Sequence, residues 1–407
     1  MHKRLIVQKF GGTSVANPER IKEVAKRVVS YKNKKCDLVV VVSALGDSTD
    51  ELVQLAAQIT DSPPEREMDM LMATGEQISC ALLAMAIEEL GFDAIAFTGG
   101  QVGIITDTIH TKARIVRIDA KRIHKALEQD QVVIVAGFQG ITRNDDITTL
   151  GRGGSDLTAV ALAKTLNADI CEIYTDVDGI FTADPRIDRR AKHLHVVTYD
   201  EMLEMASLGA QVMQARSIEL AKKFNIPIHV RSSFSTKEGT MIIKESKKME
   251  EVVVRGVTLN KREAKITICE VPDKPGIAAK IFGEISKVGV NVDMIVQNVS
   301  HTGQTDISFT VPKSHLKKAI KIAKKVAAQI KAGKVLKDPN VARVSIVGVG
   351  MKSHPGIAAK MFKVLAENKI NIEMISTSEI SISCLIKSKS ANQAVRGLAK
   401  KFNLIKR

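Results

Sequence analysis

The chain has 407 residues, of which 44% are hydrophobic and 26% charged, enough apolar material for the cores of about two to four domains. With three Tyr and no Trp, it is poor in the side chains that stack on nucleic-acid bases. The formal net charge of +15 lies in the C-terminal part. Residues 1–246 contain 30 Lys/Arg and 33 Asp/Glu, whereas residues 247–407 contain 30 and 12. Because no arginine or aromatic cluster accompanies these lysines, we interpret them as a solvated helix face and expect no nucleic-acid partner.

The cysteines are widely separated and form no C-x-x-C pair, so they predict neither a zinc site nor a disulfide framework. They indicate the reduced thiols of a cytoplasmic protein. His193 and His195 alternate as on a strand and have no third ligand nearby, so no protein-held metal is expected. No apolar run approaches 18 residues, and the N-terminal run is too short for a signal peptide. We therefore expect no membrane partner.

In the first 230 residues, short apolar runs alternate with helical patterns. The runs predict strands over 5–8, 38–42, 94–97, 132–136, 171–175 and 228–230. The helical patterns cover 18–31, 76–90, 120–128, 156–166 and 198–223. Most runs are continuously apolar, as in a parallel sheet covered on both faces, and the alternation predicts an α/β/α layered domain.

Glycine-rich segments follow several of these strands, where α/β sheets bind their ligands. In "KFGGTSV" (9–15) the lysine precedes the glycines, unlike a Walker P-loop, so this segment alone favours a tight turn. In "TTLGRGGSDL" (148–157) Asp156 opens a helix whose N–H groups favour an anion, and Arg152 could clamp a carboxylate or phosphate. Asp156 could hold Lys9 or bind magnesium. In "YTDVDGIFTADPR" (174–186) the acids Asp176 and Asp178 suit nucleotide or Mg²⁺ binding and an ordinary turn equally well.

The polar segment 235–249 predicts a domain boundary, and an internal repeat follows it. Residues 275–295 recur as residues 355–375, with ten of 21 positions identical. Each copy predicts a strand, a Pro-Gly turn, a helix, two strands and a helix. The helix start favours a carboxylate, and Asp273 and Asn291 could complete an amino-acid pocket. The alternative is that Pro and Gly only cap the helix.

Taken together, "KFGGTSV", "SALGDSTDE", "TGEQIS", "GRGGSD" and "YTDVDGIFTADPR" resemble the aspartate kinases of the amino-acid kinase family. The repeated modules resemble ACT domains, small amino-acid sensors. The resemblance implies a three-layer α/β/α amino-acid kinase domain with a mostly parallel sheet over 1–245. It also implies two ferredoxin-like βαββαβ ACT domains over 264–340 and 341–407, the second completed by a strand from 250–263. The end of the chain at Arg407 matches the monofunctional kind, which has no dehydrogenase domain.

The same resemblance implies transfer of the ATP γ-phosphoryl group to the β-carboxylate of L-aspartate, giving 4-phospho-L-aspartate at the start of lysine, threonine and methionine biosynthesis. It makes Lys9 and Asp156 catalytic and has ATP carry the Mg²⁺. The implied substrate contacts are Thr49, Glu76, Arg152, Gly153 and Ser155. The implied ATP contacts are Lys9, Phe10, Gly11, Gly12, Ser43, Thr175, Asp176 and Arg186. Phe181 stands where the family often has Tyr, and Gln211 where it often has Lys, which puts two nucleotide contacts in doubt.

The ACT pair implies feedback control by lysine, threonine or both. It also implies a homo-oligomer formed through the ACT domains, with Met249 a possible internal start for a shorter subunit. The implied effector contacts are Asp273, Gly276, Ile277, Ala278, Asn291, Gln297, Asn298, Ile357, Asn371 and Ile372. Which effector binds which copy stays open.

Two rival functions stay open. One is a glutamate, acetylglutamate, carbamate or UMP kinase of the same superfamily. Glu76 and Arg152 fit an amino acid better than a nucleotide, and an ACT repeat is unexpected in those relatives. The other is a non-enzymatic amino-acid sensor with a decayed kinase domain. The intact residues Lys9, Asp156 and Arg152 weigh against it.

Overall fold

The structure is a computed structural model that describes residues 3–210, 212–244, 254–298, 303–349, 351 and 354–406. Gln211 and the proposed start at Met249 lie outside the described residues. Contacts group the chain into two units that do not follow its order. The first contains Met1–Ile180, His193–Ala206 and Gln211–Lys248, and the second contains Phe181–Lys192, Ser207–Ala210 and Met249–Arg407. Two short segments within the span expected for the kinase domain therefore cluster with the second unit.

Strands and helices up to residue 243 are as follows. The strands are β1 (Leu5–Phe10), β2 (Asp37–Val42), β3 (Ala94–Phe97), β4 (Ile104–Thr106), β5 (Ile115–Ile118), β6 (Val132–Ala136), β7 (Gln139–Ile141), β8 (Ile147–Thr149), β9 (Ile170–Thr175), β10 (Ile180–Phe181), β11 (His193–Leu194), β12 (Val196–Thr198), β13 (Ile228–Ser232) and β14 (Thr240–Ile243). The helices are α1 (Pro18–Lys32), α2 (Ser48–Ile59), α3 (Glu65–Glu88), α4 (Lys121–Glu128), α5 (Gly154–Thr165), α6 (Tyr199–Ser207) and α7 (Ala215–Phe224).

The first unit is built on an eight-stranded sheet of order β12-β14-β13-β9-β1-β2-β6-β3. All its pairings are parallel except β13 with β14. Helices α1 and α3 pack on one face, where they share a buried core with the inward side chains of β1, β2 and β6. Helix α5 packs on β1, β2 and β9 and contacts α7. This confirms the α/β/α layering, and it brings the carboxyl ends of β1, β2 and β9 together at one edge.

The helix predicted over 198–223 is wrong as a single element, because the structure has α6 and α7 there. Gly209 between them has φ of 117°, which a continuous helix cannot adopt. Helix α3 begins 11 residues earlier than predicted. By length and composition this helix could cross a membrane, but half of its most apolar 18-residue stretch is buried inside the structure. The core helix of a globular domain has the same properties.

The second unit contains two four-stranded sheets of equivalent topology. Its strands are β15 (Gly256–Asn260), β16 (Glu263–Pro272), β17 (Ile295–Gln297), β18 (Gln304–Pro312), β19 (Val335–Asp338), β20 (Val341–Val347), β21 (Ile372–Thr377) and β22 (Ser381–Lys387). Its helices are α8 (Ile277–Lys287), α9 (Leu316–Gln329), α10 (Ile357–Glu367) and α11 (Ala391–Lys401). The sheet orders are β17-β18-β16-β19 and β21-β22-β20-β15. Strand β15, from before the first module, pairs antiparallel with β20 of the second.

Candidate active site and effector region

Lys9 and Asp156 form the ion pair at the centre of the first unit's candidate site. Lys9 lies near the end of β1, and Asp156 lies in the first turn of α5. The Lys9 Nζ atom is 2.7 Å from Asp156 Oδ1, and the side chains are only 13% and 8% exposed. Lys9 and Asp156 meet because the end of β1 and the start of α5 lie at the same edge of the sheet, where parallel strands place their carboxyl ends. Asp156 therefore holds the Lys9 ammonium in place.

The glycines after Lys9 begin a 3₁₀ helix over Gly12–Val15. The first N–H groups of such a helix have no partners within it and are available to an anion. A Cβ atom on Gly12 would lie 2.9 Å from the carbonyl oxygens of Ala44 and Gly46, so only glycine fits this close approach. Gly11 donates its N–H to the Tyr174 carbonyl at 3.2 Å, which ties the loop to β9.

The second glycine loop runs into helix α5. Gly153 is the N-cap of α5 with φ of 70°, and a Cβ atom there would come within 1.7 Å of Gln214 Cγ. Ser155 and Asp156 are buried in the first helical turn. The N-terminus of α5 therefore opens beside the Lys9 amine, with partial positive charge from the helix dipole.

Glu76 is a buried carboxylate with an unused oxygen. It lies in α3, is 3% exposed, and accepts a hydrogen bond from the Ala44 N–H to Oε1 at 3.2 Å. Its Oε2 is buried and has no hydrogen-bond partner in the described part of the chain. Burial raises the pKa of Glu76 to about 7. A carboxylate that is desolvated and half-satisfied is a ready site for an ammonium group.

The other predicted substrate contacts lie on neighbouring segments. Arg152 is exposed in the turn before α5, and no hydrogen bond or ion pair of its guanidinium occurs within the described residues. Ser43 follows β2 and donates its N–H to the Phe10 carbonyl at 3.1 Å. Thr49 lies in the first turn of α2 and is half-buried. These segments are positioned around the Lys9 loop by backbone hydrogen bonds.

The predicted nucleotide contacts are divided. Thr175 ends β9 and donates its hydroxyl to Asp176 at 3.1 Å, and its carbonyl accepts from the Ser233 N–H at 2.8 Å. Asp176 is exposed. Arg186 lies in Phe181–Lys192, which clusters with the second unit, and it pairs with Asp184 at 2.9 Å.

The acidic turn after β9 behaves as a structural turn at Asp178. Ser235 Oγ and Lys237 Nζ each lie 2.7 Å from its carboxylate, and these contacts hold the pKa of Asp178 below its usual value. Among the described residues, no group of three or more His, Cys, Asp or Glu side chains is placed to hold a metal ion.

Three polar residues that the sequence patterns did not single out also lie at this edge. The hydroxyls of Ser14 and Ser233 are 2.6 Å apart, which joins the 3₁₀ helix to the end of β13. Arg27 donates to the carbonyls of Ser233 and Ser235 at 3.2 Å. For Ser233, its position directly after β13 was the available signal.

Of the predicted effector contacts of the first ACT copy, Asp273 and Asn298 lie near the start of β18. Asn291 lies toward the other end of that strand, because the nearby Asp293 N–H donates to the Thr310 carbonyl at 3.1 Å. The Asp273 N–H donates to the Gly303 carbonyl at 3.0 Å, and the Thr305 hydroxyl donates to the Asn298 carbonyl at 2.8 Å, so both segments flank the start of β18. Gly276 and Gly356 occupy equivalent N-caps of α8 and α10, with φ of 88° and 91°. In the second copy Asn371 is exposed and Ile372 half-buried, whereas Ile357 packs into the hydrophobic core. The remaining contacts, Ile277, Ala278, Asn291 and Gln297, are exposed or half-buried.

Comparison with known proteins gives one family match in the N-terminal part of the chain and another in the C-terminal part. The amino acid kinase family model matches residues 4–232, and the ACT domain model matches residues 270–326 and 344–402. The aspartate kinase of Stutzerimonas stutzeri is 51% identical over 401 residues, which is 98% of this chain and 97% of the relative. The aspartokinase of Pseudomonas aeruginosa is 52% identical over 402 residues, 98% of each.

Solved structures agree in fold over the same span. Escherichia coli aspartokinase III in complex with aspartate and ADP, in the R-state, has a TM-score of 0.83 at 25% identity and covers 98% of this chain and 99% of its own. The same enzyme in complex with lysine and aspartate, in the T-state, has a TM-score of 0.76.

Proposed function

The chain belongs to the amino acid kinase family as an aspartate kinase with two ACT domains, and from that premise we propose its reaction, its site residues and its control. It transfers the γ-phosphoryl group of ATP to the β-carboxylate of L-aspartate, giving ADP and 4-phospho-L-aspartate. The product supplies lysine, threonine and methionine biosynthesis. The observation that carries the substrate assignment is the buried, half-satisfied carboxylate of Glu76.

Glu76 and Arg152 bind the two backbone charges of the amino acid. The aspartate ammonium supplies the partner that Glu76 Oε2 lacks among the described residues, and pairing offsets the cost of burying the carboxylate. Arg152 clamps the α-carboxylate with two parallel N–H donors. Thr49, Gly153 and Ser155 complete the contacts. The side-chain carboxylate of the substrate is then left facing the glycine loops.

No general base is required, because the β-carboxylate of aspartate is already ionised at neutral pH. The barrier is one of alignment and charge repulsion between two anions. Lys9, held by Asp156, neutralises the negative charge of the phosphoryl group as it is transferred. The N–H group of Gly12 and the N-terminus of α5 add fixed dipoles, whereas the Gly11 N–H is engaged with the Tyr174 carbonyl.

ATP binds at the ends of β1, β2 and β9 through Lys9, Phe10, Gly11, Gly12, Ser43, Thr175 and Asp176. Arg186 is the remaining member of this set. Mg²⁺ would be carried by the ATP phosphates, where it would lower their negative charge.

The activity test is a coupled ADP-release assay with Mg-ATP and aspartate, glutamate, UMP or succinate. Succinate lacks only the α-amino group of aspartate. We expect efficient turnover only with aspartate, with succinate a much poorer acceptor, and we expect Glu76→Gln to reduce the preference for aspartate over succinate. Absence of ADP release with aspartate contradicts the proposal, and turnover with UMP or glutamate instead identifies a different kinase.

Lysine, threonine or both bind the ACT copies and inhibit the kinase. Exposed polar groups at the start of α8 support an amino-acid site there, and a lysine complex of the related aspartokinase III supports the effector class. Asp273→Ala and Asn291→Ala should abolish inhibition while leaving basal kcat unchanged. Asn371→Ala is the matched variant in the second copy. The proposal fails if neither effector, alone or combined, changes the rate or the melting temperature.

A further inference from the structure

A buried carboxylate that none of the roles above uses joins helix α3 to the loop that carries Arg152. Asp69 lies in α3 and is 0% exposed. It accepts hydrogen bonds from Thr149 Oγ1 at 2.5 Å and His110 Nδ1 at 2.7 Å, and the Thr111 N–H lies 3.0 Å from each of its oxygens. Because an ionised carboxylate only accepts, His110 carries its proton on Nδ1 in this contact. Three donors from two distant segments therefore meet on one side chain of α3.

The segments that contain Thr111 and Thr149 both adjoin the turn before Arg152. Thr149 is the last residue of β8, three residues before Arg152. The carbonyl oxygen of Thr111 lies 3.1 Å from where a Cβ atom on Gly151 would be, and Gly151 has φ of 76°. The Thr111 backbone therefore packs against the turn that aims Arg152. Asp69 thus holds this turn at two points, through the Thr149 hydroxyl and through the Thr111 N–H.

Thr111 is held in a conformation that its side chain disfavours. Its φ is 63°, and a β-branched residue in the left-handed region is a strained outlier. Such strain persists where surrounding contacts fix it, and it concentrates at functional sites. Asp69, which accepts the Thr111 N–H with both oxygens, is the contact that fixes it here.

Helix α3 also carries Glu76, seven residues after Asp69. Seven residues make about two helical turns, so the two carboxylates share the buried face of α3. We propose that Asp69 is a positioning residue for aspartate binding, which fixes the turn of Arg152 at a set distance from Glu76. This inference rests on the proposed function, in which Glu76 binds the ammonium and Arg152 the α-carboxylate. One amino acid must satisfy both, so their spacing determines the affinity for aspartate.

Steady-state kinetics of Asp69→Asn test the inference. The amide keeps the shape but cannot accept from all three donors. We expect the KM for aspartate to rise about 10- to 100-fold, because a misplacement near 1 Å costs up to about 100-fold. The KM for ATP should stay within about twofold, since removing a contact to one substrate leaves the other's binding unchanged. Thr149→Val should reproduce the effect in part, and Thr149→Ser, which keeps the hydroxyl, should restore the wild-type KM.

Glu201→Gln is the matched control. Glu201 is another buried carboxylate, 2% exposed, that accepts from the N–H and hydroxyl of Thr198 at the start of α6. Its loss should lower the melting temperature without a selective change in the KM for aspartate. An unchanged KM in Asp69→Asn, or equal rises for aspartate and ATP, overturns the inference. Should Asp69→Asn not fold, Thr149→Val and Thr149→Ser with equal KM values overturn it. Failure of the wild-type chain to release ADP with aspartate overturns the proposed function, which is a separate result.

Discussion

The Nζ atom of Lys9 lies 2.7 Å from Oδ1 of Asp156, and both side chains are almost entirely shielded from solvent. An ammonium group held in this way is oriented before the substrates arrive, so no reorganisation is needed as charge develops. Lys9→Met should therefore lower kcat by at least about 100-fold, the usual cost of losing one preorganised donor. Coupled ADP release at saturating aspartate and ATP measures the effect.

Lys32 provides a matched control for this variant. Its side chain is only 7% exposed and pairs with Asp130 at 2.9 Å, and no part of the site has been assigned to it. Lys32→Met should lower the melting temperature while leaving kcat within about twofold of wild type. An unchanged kcat in Lys9→Met removes Lys9 from the chemistry. Asp156→Asn combined with Lys9→Met should be no slower than Lys9→Met alone, because the two residues act as one unit.

Glu76 should give the reaction a distinctive pH dependence. Its pKa is raised from 4.5 to about 7, so in the free protein it is increasingly protonated below that pH and cannot pair with an ammonium. The kcat/KM for aspartate should fall as the pH drops below about 7, while the substrate's own β-carboxylate remains ionised. Glu76→Gln should have a much lower kcat/KM with no such break. A break that persists in this variant must arise from another group.

The same carboxylate should limit the stability of the first unit. Because burial raises the pKa, the folded chain retains a proton between pH 4.5 and about 7 that the unfolded chain releases. Stability is therefore lost as the pH rises through that window, by on the order of 3 kcal/mol in total. Glu76→Gln should raise the melting temperature at pH 8 and have little effect at pH 4.5. An equal change at both pH values would falsify the assignment.

Much of this architecture follows from local pattern. The boundaries of β3 and β6 match their predicted ranges, because a continuous apolar run between polar flanks has few alternatives to a buried parallel strand. The ACT repeat was likewise visible as repeated residues. The three-residue strands β4, β7 and β8 were not predicted, since three residues carry no periodicity.

Long-range polar contacts account for what was missed at the site. The glycine loops and Asp156 could be predicted from their residue types and from their positions after predicted strands. Asp69 could not, because it lies before the helix predicted from residue 76, and an aspartate among other charged residues normally indicates an exposed position. Only the approach of residues 110 and 149, from 41 and 80 positions away, makes it a buried acceptor. No local signal in the sequence specifies that approach.

Gly153 gives a test of the loop geometry. A side chain there would meet Gln214 within 1.7 Å and would have to adopt φ of 70°. Gly153→Ala should lower kcat/KM for aspartate by displacing Arg152, the residue before it, and Ser155, two residues after it. Adding Gln214→Ala removes the steric overlap but not the backbone strain of roughly 1–2 kcal/mol. The double variant should therefore recover only part of the lost activity in the same assay. Full recovery would show that the left-handed backbone is unimportant.

In the second unit, Arg343 should be the main electrostatic link between the two ACT modules. It lies in β20 and is 4% exposed, and its guanidinium is 2.6 Å from Glu263 of β16 and 2.7 Å from Asp293. Burial raises the pKa of Glu263 against the opposing effect of Arg343. Removing the cation leaves a buried carboxylate unpaired, so Arg343→Met should destabilise this unit by about 3–5 kcal/mol.

Hydrogen exchange of the β16 and β20 amides measures that loss within the second unit. Arg343→Met combined with Glu263→Gln removes the unpaired charge, and it should recover most of the protection. Lys363→Met is a matched surface control, because Lys363 is 70% exposed and pairs with Glu367 at 4.0 Å. Its effect should stay below about 1 kcal/mol. Since Asp293 lies two residues after Asn291, loss of Arg343 should also weaken inhibition by lysine or threonine. Protection equal to wild type in Arg343→Met would show that the two modules are held by apolar packing alone, as between Met294 and Leu385.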